Sequence, residues 1–281
     1  MSRKIRALIA LTRPPNSTLM FIAVISGILL SDEKIFQLDK LILAFITAYS
    51  LCGASMAFND YFDKEVDRVN APWRPIPSGA ISGSEAIILS AALGTIGIIS
   101  AAATSLQCLI VAAAAFLAAL IYNAKLKKTG LFGNMLVSVD VVIPFIYGAV
   151  LSDGYISPRI ITFIFPVYLS NLGREIIKGI SDIEGDSLRE IRSIARTKGA
   201  KIAARLGALF YLAAVLISPI PYILNLVNWI YLPIVAIADA GFVYSSISII
   251  KSSTRENSLK VKKRTLLWML IALIAFIAGA I

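Results

Sequence analysis

Nine long apolar stretches, separated by short polar segments, leave this chain one class of fold. They lie near residues 14–32, 38–60, 84–104, 106–123, 133–152, 157–177, 203–224, 228–250 and 264–281. A helix crossing a bilayer needs ~20 mostly apolar residues, and each stretch is close to that length. Hydrocarbon offers no partner to backbone N–H and C=O groups, so stretches of this kind span as helices. With 58% of its residues hydrophobic, the chain holds far more apolar surface than a water-soluble core can use. The expected fold is all-α, a polytopic membrane protein of nine transmembrane helices. Gly, Ser, Ala and Thr recur within the spans, which favours close helix contact in lipid. The first span lacks a small-residue cleavage site and is read as part of the bundle rather than a removed leader.

The charges orient this bundle. With nine spans and the N-terminus inside, every Lys and Arg except Lys34, Lys40 and Arg159 falls in an inner segment. A multi-pass protein of the cell membrane with its N-terminus and polar site on the cytoplasmic side is therefore expected. The net charge of +10 serves that bias and contact with anionic lipid, with a remainder for phosphorylated ligands. The basic residues are scattered over short loops with no aromatic platform, so nucleic acid is not an expected partner. Cys52 and Cys108 sit in apolar spans, and there is no histidine. Proton transfer must then use a carboxylate, Lys, Tyr, water or substrate phosphate.

Where apolar runs end, acidic residues appear at helical intervals. NDYFDKEVD places Asn59, Asp63 and Asp67 four residues apart, and ISDIEGD repeats the spacing at Asp182 and Asp186. That interval predicts one helix face for each set. Oxygen-bearing groups stacked so closely repel one another unless a cation sits between them. Mg²⁺ takes such oxygens and shares its remaining positions with water and substrate phosphate, so the expected ligand set is Asn59, Asp63, Asp67, Asp182 and Asp186. A diphosphate held this way leaves readily, and an apolar chamber protects the allylic cation it leaves behind from water. Asp60 and Glu65 lie off the stripe and read as supporting or surface groups.

Both acid sets lead into basic loops, Arg74 after the first and Arg189 and Arg192 after the second. Asp63 to Asp182 and Asp67 to Asp186 share one offset, 119 residues. We read a single domain with an internal duplication, halves about 1–123 and 124–250. Pro72, Pro75, Pro77 and Gly79 make the first loop a shaped cap. Candidate diphosphate or phosphate ligands are Arg74, Lys127 and Lys178, with Tyr122 beside the lysine-rich inner loop and Arg13 and Asn16 at the mouth of the first span. Asp140 and Asp239 lie within spans, where an acid is either functional or held by hydrogen bonds. Phe58, Tyr61, Tyr122, Phe145 and Tyr168 are read chiefly as packing.

These motifs resemble the UbiA superfamily of intramembrane prenyltransferases. Its first signature matches at Asn59, Asp60, Asp63 and Asp67, and its second at Asp182 and Asp186. RPIPSG from Arg74 to Gly79 and YNAKLK from Tyr122 to Lys127 are also family-like. The resemblance implies helices around a central cavity, capped by two motif loops, with prenyl diphosphate on Mg²⁺. Within the superfamily the chain is most similar to the archaeal digeranylgeranylglyceryl phosphate synthases, through RPPN at Arg13 to Asn16 and REIIKGISDIEGD from Arg174 to Asp186. That likeness implies transfer of a geranylgeranyl group from geranylgeranyl diphosphate to the hydroxyl of geranylgeranylglyceryl phosphate, the second ether bond of archaeal membrane lipid. Lys178 stands where some members carry an acid, which suits an acceptor with its own phosphate. An aromatic or tetrapyrrole acceptor and an ion-coupled transporter are the rival readings; the chain lacks the DGxxAR opening of CDP-alcohol phosphotransferases.

Overall fold

The computed structural model describes residues 3–31, 37–188 and 190–281; Lys34 and Arg189 lie outside them. Every regular element among these residues is helical. In chain order they are α1 (Arg3–Leu11), α2 (Pro14–Leu29), α3 (Leu38–Phe62), α4 (Lys64–Asn70), α5 (Gly83–Thr104), α6 (Leu106–Ala124), α7 (Leu131–Asp153), α8 (Pro158–Ser181), α9 (Ile183–Leu188), α10 (Ile194–Lys198), α11 (Ala200–Ile217), α12 (Ile220–Ile223), α13 (Tyr231–Lys251) and α14 (Arg255–Ala280). Among the described residues, nine helical segments are long and apolar enough to cross a bilayer.

Two of the nine begin about ten residues before the spans expected, while the others shift by a few residues at most. The first begins at Lys4, because α1 is already helical before the apolar run; Arg13, at φ 45°, marks the joint with α2. The last begins at Arg255 rather than near 264, so Lys260, Lys262, Lys263 and Arg264 ride on the first turns of α14. Thr254 caps that helix by accepting from the Asn257 amide, and a helix begun with such a cap propagates through charged residues.

The chain divides into two compact units. The first comprises Met1–Ile28, Asp32–Leu126 and Ile143–Tyr155. In it α3 packs along α5, and two serines of α5 bond carbonyls of α3: Ser90 to Ala54 at 2.8 Å and Ser100 to Leu43 at 2.8 Å. Small residues set the spacing between α2 and α7. A Cβ on Gly148 would lie 2.1 Å from the Val24 carbonyl oxygen, so any larger residue pushes the two backbones apart. Val24, Ile28, Ala44, Ala101, Cys108, Ala112, Tyr147, Val150 and Leu151 form the core there.

The second unit comprises Leu29–Ser31, Lys127–Val142 and Ile156–Ile281. Ile176, Ile177 and Ile180 of α8 meet Ala203, Ala204, Ala208 and Tyr211 of α11, with Phe242, Ile249 and Val261 alongside. In both units many outward residues are large and apolar, Leu106, Leu216 and Ile223 among them. That pattern suits a lipid surround, which is as apolar as the core itself.

Candidate active site

The first acid set sits at a helix break. Helix α3 stops at Phe62 and α4 starts at Lys64, so the ladder is not carried on one continuous helix as its spacing predicted. Asp63 is the joint residue, at φ −86° and ψ −1°, and caps both elements. The i to i+4 bonds nevertheless run through: the Asp63 amide donates to Asn59, Asp67 to Asp63 and Ala71 to Asp67. Pitch is kept although the helix is interrupted.

Asp60, Asp63 and Asp67 are all buried. Their mutual repulsion is relieved by guanidinium groups. Arg13 Nη2 donates to Asp60 Oδ1 at 2.6 Å, and Arg74 Nη1 to Asp67 Oδ2 at 2.5 Å. Arg74 Nη1 also stands 3.6 Å from Asp60. The Asn59 amide donates toward Asp63 at 3.3 Å and Asp60 at 3.5 Å. Asp60 is thus no surface residue; it lies where both arginines meet. Glu65 is exposed and pairs with Arg68.

Local structure explains how the two arginines arrive. Arg13 occupies the left-handed region, which is uncommon for a non-glycine residue and marks strain. Thr12 and Ser17 tie that joint by bonding the Ile9 and Thr12 carbonyls. The loop bearing Arg74 is folded on itself: Arg74 N–H donates to Ala71, Ser78 to Arg74 and Ile81 to Pro75. Ile81 is buried, and Ser82 with Glu85 forms a reciprocal cap that opens α5. Lys4 of α1 pairs with Glu85. Asn16 is exposed on the first turn of α2.

The second set repeats the construction. Helix α8 ends at Ser181, Asp182 is its C-cap, and α9 follows from Ile183. The Asp186 amide donates to the Asp182 carbonyl at 2.7 Å, and Ser181 Oγ donates to Asp182 Oδ1 at 2.9 Å. Lys178 does not pair with Asp182. Its Nζ reaches Glu175 at 3.0 Å, and Arg174 Nη1 holds the other oxygen of Glu175 at 2.9 Å.

Lys127 lies in the 3-10 turn Leu126–Thr129, and Tyr122 in the last turn of α6, half-buried like Lys127. The turn is fastened to the loop after α9. Lys128 O accepts from the Arg192 amide at 3.1 Å, and Lys128 pairs with Glu190 at 3.4 Å. Of the acids within spans, Asp239 accepts from Ser218 Oγ at 2.6 Å, while Asp140 is partly buried on α7.

The donor chemistry fits a magnesium ion. Carboxylate and amide oxygens are the hard ligands it takes, and it completes its shell with water and phosphate oxygen rather than a closed protein cage. Among the described residues no three acidic, histidine or cysteine side chains converge into such a cage. Asn59, Asp63 and Asp67 are the candidate oxygen ligands in the first unit, and Asp182 and Asp186 those in the second.

Residues 19–279 match the UbiA prenyltransferase family. The chain belongs to that family. The digeranylgeranylglyceryl phosphate synthase of Archaeoglobus fulgidus is 40% identical over 284 residues, spanning 100% of this chain and 97% of the relative. A solved digeranylgeranylglyceryl phosphate synthase structure superposes with a TM-score of 0.86 at 32% identity, covering 99% of each chain. A second UbiA homolog from Archaeoglobus fulgidus, solved with DMAPP and Mg²⁺, shares the fold at TM-score 0.75 and 16% identity, covering 98% of this chain and 99% of that one. As a UbiA prenyltransferase, the protein is an enzyme and a multi-pass membrane protein.

Two site residues escaped the reading by spacing. Asp60 falls off the i, i+4 stripe, and only the fold shows two arginines on it. Glu175 was passed over although its i, i+3 spacing from Lys178 is a pairing signal in the sequence itself.

Proposed function

We propose that this enzyme transfers a geranylgeranyl group from geranylgeranyl diphosphate to the free hydroxyl of geranylgeranylglyceryl phosphate, forming an ether and releasing diphosphate. The observation that carries this reading is the 40% identity along the whole chain to the Archaeoglobus fulgidus synthase. Mg²⁺, when bound, neutralises the charge that develops on the diphosphate as the allylic C–O bond breaks.

The chain's own residues do the rest. Asn59, Asp63, Asp67, Asp182 and Asp186 present oxygens to the metal. Arg74, Lys127, Lys178 and Tyr122 bind phosphate oxygens, while Arg13 and Asn16 position the acceptor. Apolar helix faces exclude water from the allylic centre. The hydroxyl proton passes to released diphosphate or a carboxylate, since the sequence has no imidazole. Halves of about 1–123 and 124–250 arose by duplication, a reading supported by the two acids, Asp63 and Asp182, each capping a long helix before a short one. The basic loops support a cytoplasmic site.

The test is radiolabelled geranylgeranyl diphosphate with geranylgeranylglyceryl phosphate or an aromatic acceptor, with and without Mg²⁺, followed by product identification. A labelled diether phosphate formed only with Mg²⁺ is expected. Label on the aromatic acceptor alone overturns the reading.

A further inference from the structure

Helix α8 carries more charge inside its span than two metal-binding acids require. Arg174 and Lys178 lie four residues apart on the face that leads to Asp182, two turns and one turn before it respectively. Arg174 therefore stands ~12 Å of helix rise before the acid that caps α8. Charged groups within a bilayer-crossing helix are costly, and those retained face protein or a polar cavity and carry function.

Glu175 answers only part of that charge. Its two oxygens serve two cations, Arg174 Nη1 at 2.9 Å and Lys178 Nζ at 3.0 Å, so the trio keeps a surplus positive charge. The Arg174 side chain is 18% exposed, and its Nε–H is buried with no acceptor. An unmatched buried donor costs stability and calls for a ligand or a role. Glu175 engages Nη1, so the edge of the guanidinium formed by Nε and Nη2 is the one left to other partners. That edge offers two parallel N–H groups, a match for two oxygens of a phosphate. The platform beneath is rigid. A Cβ on Gly173 would lie 2.7 Å from the Gly207 carbonyl oxygen, so the backbones of α8 and α11 touch beside Arg174.

We propose that Arg174 and Lys178 bind the phosphate of the glycerol phosphate acceptor, with Glu175 as the bracket that holds both cations in place. This rests on the acceptor assigned under Proposed function. A phosphomonoester dianion brings the negative charge that the trio lacks and accepts from Arg174 Nε–H. The prenyl diphosphate is served separately, through Arg74, Lys127 and the metal at the acids. The subsite disfavours an unphosphorylated aromatic acceptor, which leaves Arg174 Nε unmatched.

The test compares geranylgeranylglyceryl phosphate with its dephosphorylated analogue, at saturating Mg²⁺ and geranylgeranyl diphosphate, in the full-length enzyme. Substituting Arg174→Gln is expected to lower the preference for the phosphorylated acceptor, taken as the ratio of kcat/KM values, by roughly 10- to 100-fold. The KM for geranylgeranyl diphosphate should stay within about threefold, and Arg174→Lys should restore part of the preference. Lys178→Gln, at a more exposed position, gives a smaller shift of the same sign and serves if Arg174→Gln does not fold. An unchanged preference in both glutamine variants overturns the subsite while leaving the acceptor assignment standing. Wild-type turnover confined to unphosphorylated acceptors overturns both.

Discussion

Gly130→Ala tests whether the Lys127 turn is held in place by the loop that follows the second acid set. Gly130 has φ +68°, and a Cβ there would lie 2.0 Å from the Arg192 carbonyl oxygen. The left-handed conformation costs a non-glycine residue ~1–2 kcal/mol. Ordinary van der Waals contact begins near 3.4 Å, so the turn must withdraw by 3.4 less 2.0, or 1.4 Å. The obstacle is backbone, and no side chain can swing aside. Overpacking of that kind costs ~1–3 kcal/mol, for a combined loss of ~2–5 kcal/mol. A shift of that size carries Lys127 with it, and ~1 Å of misplacement at a site can cost about a hundredfold in rate. The measurements are thermal unfolding in nanodiscs and KM for geranylgeranyl diphosphate. Gly154→Ala is the control: its φ of +76° imposes the same backbone strain, but no atom lies within 4 Å of the added Cβ. Gly130→Ala should unfold earlier than the control and raise KM. If the two variants unfold together and KM stays at the wild-type value, the turn is not held by this contact and the reasoning fails.

Three further outcomes follow from the site. Asp63→Ala and Asp182→Ala should each lower kcat by at least about a hundredfold with little change in thermal unfolding; activity retained by either at saturating Mg²⁺ would remove that residue from the metal set. Chelation with EDTA should abolish turnover and added Mg²⁺ should restore it, while helicity by circular dichroism stays constant because packing, not metal, holds the helices. Asp239→Asn keeps a partner for Ser218 and should leave kcat/KM within about threefold. Asp239→Leu removes that bond but leaves the Ser218 hydroxyl its acceptor at the Val215 carbonyl, so it should lower stability by only ~0.5–1.5 kcal/mol; a large kinetic defect in the Asn variant would instead give this acid a part in the chemistry.

Much of the fold was legible because lipid enforces a simple rule. Span count follows from apolar length, as backbone groups in hydrocarbon must be satisfied within a helix. Boundaries were less legible where charged residues continue a helix: α14 starts at Arg255 because its Thr254 cap sets the first turn, whatever the hydropathy of the next residues. The acid spacing likewise gave the register but not the break at Asp63 or Asp182, since Asp63 keeps its i to i+4 bonds on both sides and Asp186 bonds back to Asp182, the contacts that periodicity detects. Residue type pointed to Arg74 as a phosphate ligand. Its partners in this structure, Asp67 and Asp60, depend on how the loop from Ala71 to Ile81 folds back, which no local pattern specifies.

The sequence alone determined the class of fold, the nine crossings and the residue types of the chemistry, since each follows from length, polarity or spacing along one helix. Tertiary structure decided which charges meet: Asp60 under two arginines, Glu175 between Arg174 and Lys178, and the turn of Lys127 fastened at Gly130. Such pairings join residues through joints, loops and backbone contacts between helices, and their geometry exists only once the chain has packed.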